Sequence, residues 1–325
     1  MRTPAPSFPI RLVALDLDGT LVGDALELRP RTLAAVSAAL ARGVKVSIVT
    51  GRMTTSAIRF ARQLGLVDPV VGYQGAIIRA MPPAGRDGLG RLLLHRPLPA
   101  AAAREAIEYS RSIGLSPHVN HLERFIVQSD DPGADDYSKF LGGRAVLTDD
   151  LVGWVERPVS KVISVAETRV ADGVLDAARE RFAGRAEVTI SHPRFLEFLR
   201  PGVSKGVAVA WLARRAGVPL SAVLAIGDQF NDLEMIEGAG HGAAMPHAPA
   251  PVLAAARYVA PSLADEGAAD LIERLVLADD GVALFEIGGD QGAEAPAAAT
   301  ESLPGWTSSV EPDLGGLPRV MRVSR

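Results

Sequence analysis

The sequence predicts an α/β protein with a doubly wound, Rossmann-like parallel-sheet core into which an α+β domain is inserted. Three observations predict it. Short, almost wholly apolar runs such as Leu12-Val13-Ala14-Leu15, Val46-Ser47-Ile48-Val49 and Val223-Leu224-Ala225-Ile226 read as strands buried on both faces, as in a parallel sheet. Helical segments at 30–42, 53–64, 229–236 and 266–277 alternate with strands, which places helices on the two sides of that sheet. The interval from Thr50 to Lys205 is several times the roughly 30 residues that a strand–helix–strand passage needs, so it holds a large insertion.

The first strand runs into Asp16-Leu17-Asp18-Gly19-Thr20-Leu21. Burying a lone carboxylate is costly. An acidic pair here therefore requires a cation, a ring of donors, or a place at the carboxyl edge of the sheet, where open α/β sheets bind ligands. Gly19 permits a sharp turn, and the Thr20 hydroxyl can donate to a neighbouring oxygen. The run resembles the first motif of the haloacid dehalogenase superfamily. Its phosphatases use the first aspartate, here Asp16, as nucleophile and the second, Asp18, as acid/base. That chemistry implies three further groups at strand ends.

The second strand ends at Thr50-Gly51-Arg52, where the Thr50 hydroxyl and the backbone N–H groups from Gly51 onward suit a phosphate. Taken alone, Thr50 would read as a helix cap. The insertion follows, with a strand at 91–95, a helix at 99–113, strands near 117–128, a strand at 159–166, a helix at 168–182 and a strand at 187–191. Pro82-Pro83 with Gly85, Gly88 and Gly90 reads as the outgoing hinge, and Ser191-His192-Pro193 as the return. The expected organisation is a discontinuous core at 1–83 and 190–279, a cap at 84–189 and a tail at 280–325. The insertion's position between the second and third motifs matches the C2 cap class, type B, of the superfamily.

The chain then reaches Gly202-Val203-Ser204-Lys205-Gly206 at the start of a helix over 204–216. Ser204 suits the N-cap. A cation in the first turn opposes the helix dipole unless an anion lies nearby, which makes Lys205 the candidate for neutralising the nucleophile and the phosphoryl group. The last apolar strand gives way to Gly227-Asp228-Gln229-Phe230-Asn231-Asp232, an oxygen-rich set without Cys or His that selects a magnesium-like ion. The resemblance places magnesium on Asp16, on Asp18 through its backbone carbonyl, and on Asp228. It leaves Asp232 to hold metal waters or Lys205, and Asn231, with Thr50, Gly51 and Lys205, to contact the phosphate. GVSKG ahead of GDxxND is similar to the Cof-type phosphatases. Gln229 and Gln74 stand where that pattern carries Asn, at positions read as peripheral to the chemistry.

These motifs imply a magnesium-dependent phosphatase that forms an aspartyl-phosphate on Asp16 and hydrolyses a small phosphorylated metabolite, of which a sugar phosphate is the expected class. A phosphomutase on the same core and a non-catalytic phospholigand-binding protein are the alternatives. A receiver-type module is excluded by the size of the insertion. His118, Asn120, His121, Arg124 and Lys161 are the cap side chains with chemistry to offer a leaving group.

Composition bounds the partners. A net charge of −4 over 325 residues leaves no electrostatic footprint for nucleic acid. The absence of cysteine rules out disulfides, zinc thiolates and thiol nucleophiles. No early apolar leader and no run approaching 18 apolar residues is present, so no membrane association and a cytoplasmic location are expected. Nothing in the sequence selects an oligomeric state. The tail is rich in Gly and Pro, carries an Ala-rich stretch at 295–299 and a lone Trp306, and is expected to lack regular structure.

Overall fold

The computed structural model describes residues 9–131 and 145–277, and the backbone of three strands further on. β1 (Leu12–Leu15), α1 (Pro30–Ala41), β2 (Lys45–Ile48) and α2 (Thr54–Gln63) open the chain. β3 (Val70–Gly72), β4 (Ile77–Arg79) and β5 (Leu92–His95) form a small antiparallel sheet, which meets the end of β2 through a parallel bridge between Val49 and Val71. α3 (Ala100–Ser112), β6 (Ser116–His121), β7 (Arg124–Gln128), β8 (Val146–Thr148), α4 (Leu151–Trp154), β9 (Lys161–Val165), α5 (Val174–Arg181), β10 (Glu187–His192) and β11 (Phe195–Leu199) follow. The chain then runs through α6 (Lys205–Ala216), β12 (Val223–Gly227), α7 (Leu233–Gly238), β13 (His241–Ala244), α8 (Ala250–Ala255), β14 (Tyr258–Val259) and α9 (Gly267–Ile272).

Five strands make one parallel sheet in the order β14-β13-β12-β1-β2. Strand alternation explains why the first strand is apolar throughout. Val13 and Leu15 pack into a cluster with α1, α2 and α9, while Leu12 and Ala14 pack into another with α6, α7 and α8. Both faces are covered, as a doubly wound sheet requires. β1 and β12 lie side by side in register, Leu15 opposite Ile226, so the segments after them emerge together at one edge.

The second sheet has six strands in the order β10-β11-β9-β6-β7-β8. Val119, Val162, Leu196 and Phe198 bury one face against α3 and α5. The opposite face presents Phe125, Val127, Ile163, Val165, Phe195 and Leu199 to Met53, Tyr73, Ala76 and Ile77. This sheet therefore lies over the carboxyl edge of the first.

Strand pairing departs from the sequence expectation in several places. The strand expected at 91–95 as part of the cap pairs with β4, so the Pro82–Gly90 stretch is a loop between two paired strands rather than the exit to the six-stranded sheet. Ser191-His192-Pro193, read as the return hinge, lies at the β10–β11 hairpin, and β11 is itself a strand of the six-stranded sheet. Apolar patterning identifies a strand but not its partner, which register and packing decide. The helix expected at 168–182 begins only after Gly173, whose φ is +80°. That expected at 229–236 splits into a 3₁₀ turn over Phe230–Asp232 and α7.

In the tail, backbone strands at Ala283–Glu286, Thr307–Pro312 and Pro318–Ser324 pair with one another antiparallel, where no regular structure was expected. Local pairing is invisible to an average over composition. The Ala-rich stretch and Trp306 lie outside the described residues. Among the described residues no helix is long and apolar enough to cross a membrane.

Candidate active site

Three strand ends bring the predicted residues together. Asp16 follows β1, and its N–H donates to the carbonyl of Ile226 in β12 (3.0 Å), which holds the first motif against the last. Lys205 opens α6, with Ser204 accepting from the Val207 N–H as the N-cap at 3.1 Å. Its fully buried ammonium donates to Asp16 Oδ1 and to Asp232 Oδ1, both at 2.6 Å. The other oxygen of Asp232 accepts from the N–H groups of Asp228 (2.9 Å) and Gln229 (3.0 Å). Both oxygens of Asp232 are thus engaged in orienting Lys205 and the turn after β12.

Asp228 is held by the Thr20 hydroxyl (3.0 Å), the donor anticipated from the first motif but acting on a partner far along the chain. His247 Nε2 lies 3.3 Å from its other oxygen. Gly19, at φ +79°, lets the first turn pass so close to Asp228 that a Cβ would meet the carboxylate, with Cγ at 2.7 Å.

Carboxylate oxygens of Asp16, Asp228 and Asp232 lie within 4.8 Å of one another, all buried. Lys205 bonds two of these three carboxylates, which leaves surplus negative charge in a largely buried cluster. Burial pushes the Asp16 carboxyl well above the usual carboxylate range against the pull of Lys205, and Asp232, Asp228 and Asp18 push it further. Asp232 is raised for the same reason, burial first and then the Asp228 charge, opposed by Lys205. Burial works to strip the Lys205 proton, but Asp16 and Asp232 overcome it and hold that proton more firmly than usual. Such a cluster retains a proton or takes up a cation. Its all-oxygen donors suit a hard divalent ion.

Asp18 is occupied by a residue that sequence reasoning left unassigned. Arg52, itself buried, grips it with Nε on Oδ2 (2.6 Å) and Nη2 on Oδ1 (2.5 Å), a bidentate pair. The signal was an arginine set directly after a buried strand end. Thr50 is buried, and its Oγ1 accepts from the Arg52 N–H at 3.2 Å. Gly51 follows, and a Cβ there would collide with the Gln74 side chain. Gln74 links two residues that line a shared cleft. It bridges Asn231, whose Nδ2 donates to Oε1 (2.9 Å), and Glu197, which accepts from Nε2 (3.2 Å). Gln229 does remain local, capping the Phe230–Asp232 turn.

These groups line a cleft that is open to solvent on one side. Asp16, Asp18, Thr50, Gly51, Arg52 and Asn231 form its floor and wall. Lys161, Ile163, Ser191, His192, Phe195 and Glu197 of the six-stranded sheet form its roof. Of the five cap candidates only Lys161 lines it. His118 pairs with Asp131 (3.0 Å), His121 meets the rings of His95 and Trp154, Asn120 is buried opposite Lys161 in the sheet, and Arg124 is exposed. Glu197 was missed because its strand was missed. A lone acid in Phe195-Leu196-Glu197-Phe198-Leu199 was the available sign that a buried partner existed.

A family model described as haloacid dehalogenase-like hydrolase matches residues 13–272. The chain belongs to the haloacid dehalogenase-like hydrolases. The hydrolase is 30% identical to the HMP-PP phosphatase of Serratia proteamaculans, over 73% of its own length and 84% of that protein. It is 28% identical to the 5-amino-6-(5-phospho-D-ribitylamino)uracil phosphatase YitU of Bacillus subtilis, over 72% and 86% of the two chains. A solved haloacid dehalogenase-like hydrolase from Bacteroides thetaiotaomicron superposes with a TM-score of 0.68 at 27% identity, covering 82% of the hydrolase and 99% of that chain.

Proposed function

We propose that this hydrolase is a magnesium-dependent phosphatase of small phosphorylated metabolites, with sugar phosphates the expected class, working through an aspartyl-phosphate on Asp16. The observation that carries the reading is the Lys205 ammonium on Asp16 Oδ1, which engages one carboxylate oxygen of a residue that also lines the cavity. The phosphatase names of two relatives support the reaction.

Asp16 attacks phosphorus, splitting one difficult displacement into two easier ones. Asp18 gives a proton to the departing oxygen and later takes one from the attacking water; its carboxylate must exchange at least one Arg52 bond to do so. Thr50, the Gly51 N–H, Lys205 and Asn231 hold the transferring oxygens, since positioning and charge stabilisation carry most phosphoryl-transfer catalysis. Asp16, Asp228 and the Asp18 carbonyl would hold magnesium, and Asp232, with both oxygens engaged, fits the role of fixing Lys205. The ion when bound supplies the positive charge that the buried acidic cluster lacks and offsets charge on the phosphoryl group.

We assign the cap to the six-stranded sheet with α3–α5, entered after β5 and left after β11. Its face over the cavity excludes bulk water and reads the leaving group.

The test is turnover of a panel of phosphorylated metabolites with magnesium, together with acid quench of the enzyme after mixing with labelled substrate. Asp16→Asn should fold, bind metal more weakly and neither turn over nor retain label. Hydrolysis at the wild-type rate by this variant would overturn the nucleophile assignment.

A further inference from the structure

Lys161 and Glu197 form an ion pair that the chemistry above does not use. Both are buried, at 2% and 1% exposure, with Nζ donating to Oε2 at 2.7 Å. Glu197 is fastened from two further sides, by Gln74 Nε2 and by the Ser191 hydroxyl. A buried pair of this kind seldom adds stability over well-packed apolar residues, so its placement calls for another account. Lys161 reaches across from β9 and donates a second bond, at 3.0 Å, to the carbonyl of Gly51.

That carbonyl belongs to the peptide between Gly51 and Arg52. A trans peptide is planar, and its C=O and N–H point in opposite directions, so fixing one fixes the other. The N–H of this same peptide, that of Arg52, donates to Thr50 Oγ1 at 3.2 Å. A threonine hydroxyl that accepts there has its own proton left for another acceptor, and Thr50 lines the cavity.

We propose that Lys161, steadied by Glu197, is the positioning residue through which the six-stranded sheet sets the phosphate-binding turn. Through one rigid peptide it aims the Thr50 hydroxyl at the phosphoryl oxygens. Docking of the sheet and formation of the phosphate cradle are then a single event. The inference rests on Thr50 holding phosphate, as proposed above. Burial favours the neutral amine of Lys161 while the Glu197 carboxylate opposes it, and Lys205 adds to the burial effect. The Gly51 bond survives either way, because an amine also donates.

The test uses the full-length, magnesium-loaded enzyme with p-nitrophenyl phosphate as substrate and inorganic phosphate as competitive inhibitor. Lys161→Met should weaken phosphate inhibition and lower kcat/KM by about 10-fold to 100-fold, the scale of one hydrogen bond to a charged group. A leaving group as simple as nitrophenolate makes the loss independent of substrate selection. In a Thr50→Val background the same change should lower kcat/KM by less than about threefold, because the two residues act in series. If Lys161→Met fails to fold, the paired change Lys161→Met with Glu197→Leu removes the charge from both sides and is read in the same way. Unchanged phosphate inhibition, or equal losses with and without Thr50, would overturn the proposal. Full activity in Thr50→Val alone would instead overturn the assignment of Thr50 to phosphate.

Discussion

Replacing Lys205 with methionine tests the electrostatic design of the site most directly. The substitution keeps length and volume but removes an ammonium that is wholly buried and bonded at 2.6 Å to two carboxylates. Removing one partner of a buried ion pair costs about 3–5 kcal/mol, because the remaining charge is left without compensation. Two charge-assisted hydrogen bonds at about 1.5–3 kcal/mol each give the same scale. For a chain of this size each kcal/mol moves the melting temperature by roughly 2–4 °C, so a fall of about 6–20 °C is expected. If the same energy is lost from the transition state, kcat falls by about 10²–10⁴.

The sign of the pH dependence distinguishes this account from simple loss of packing. Asp16 and Asp232 already have raised carboxyl pKa values, burial first, and loss of the opposing Lys205 charge raises them further. A group raised in the folded state favours folding at pH below its unfolded value, and that contribution is lost as pH rises through the folded value. Protons can therefore stand in for the missing ammonium at mildly acidic pH. Urea denaturation of wild type and variant, with divalent metal chelated, should show a smaller difference near pH 5 than near pH 8. A midpoint difference independent of pH, or no difference at all, would refute the reasoning.

Two further outcomes follow from the geometry. Gly19→Ala combines a left-handed backbone, costing about 1–2 kcal/mol, with a Cβ that collides with the Asp228 carboxylate. Calorimetry should show weakened magnesium binding together with a modest loss of stability, and magnesium affinity equal to wild type would contradict the placement of Asp228. In the six-stranded sheet and its approach, burial lowers His95 and His121; His121 and Arg79 assist at the first, Arg157 and Arg124 at the second. A histidine lowered on folding stabilises at pH above its unfolded value of about 6.5, and that stability is lost as pH falls through the folded value. His121→Asn should flatten the acid limb of a melting-temperature profile, and an unchanged limb would assign that acid sensitivity elsewhere.

The sequence by itself determined the parallel sheet and the polar residues gathered at its edge. Strands buried on both faces must be apolar at every position, so Leu12–Leu15 and Val223–Gly227 were legible, and with them the polar groups that break the pattern at Asp16, Thr50 and Asp228. Lys205 was legible because a cation at a helix start demands an anion. What only the tertiary structure decided was partnership. Nothing local says that β5 pairs with β4, or that Phe195–Leu199 is a strand of the roof rather than of the core. The same limit hid the side-chain links: Arg52 on Asp18, Gln74 between Asn231 and Glu197, and Lys161 on the Gly51 carbonyl. Each joins segments far apart in the chain, or depends on which way a turn faces once two sheets have docked. Periodicity reports which face of an element is apolar, whereas a buried charge is satisfied by whatever the fold brings against it.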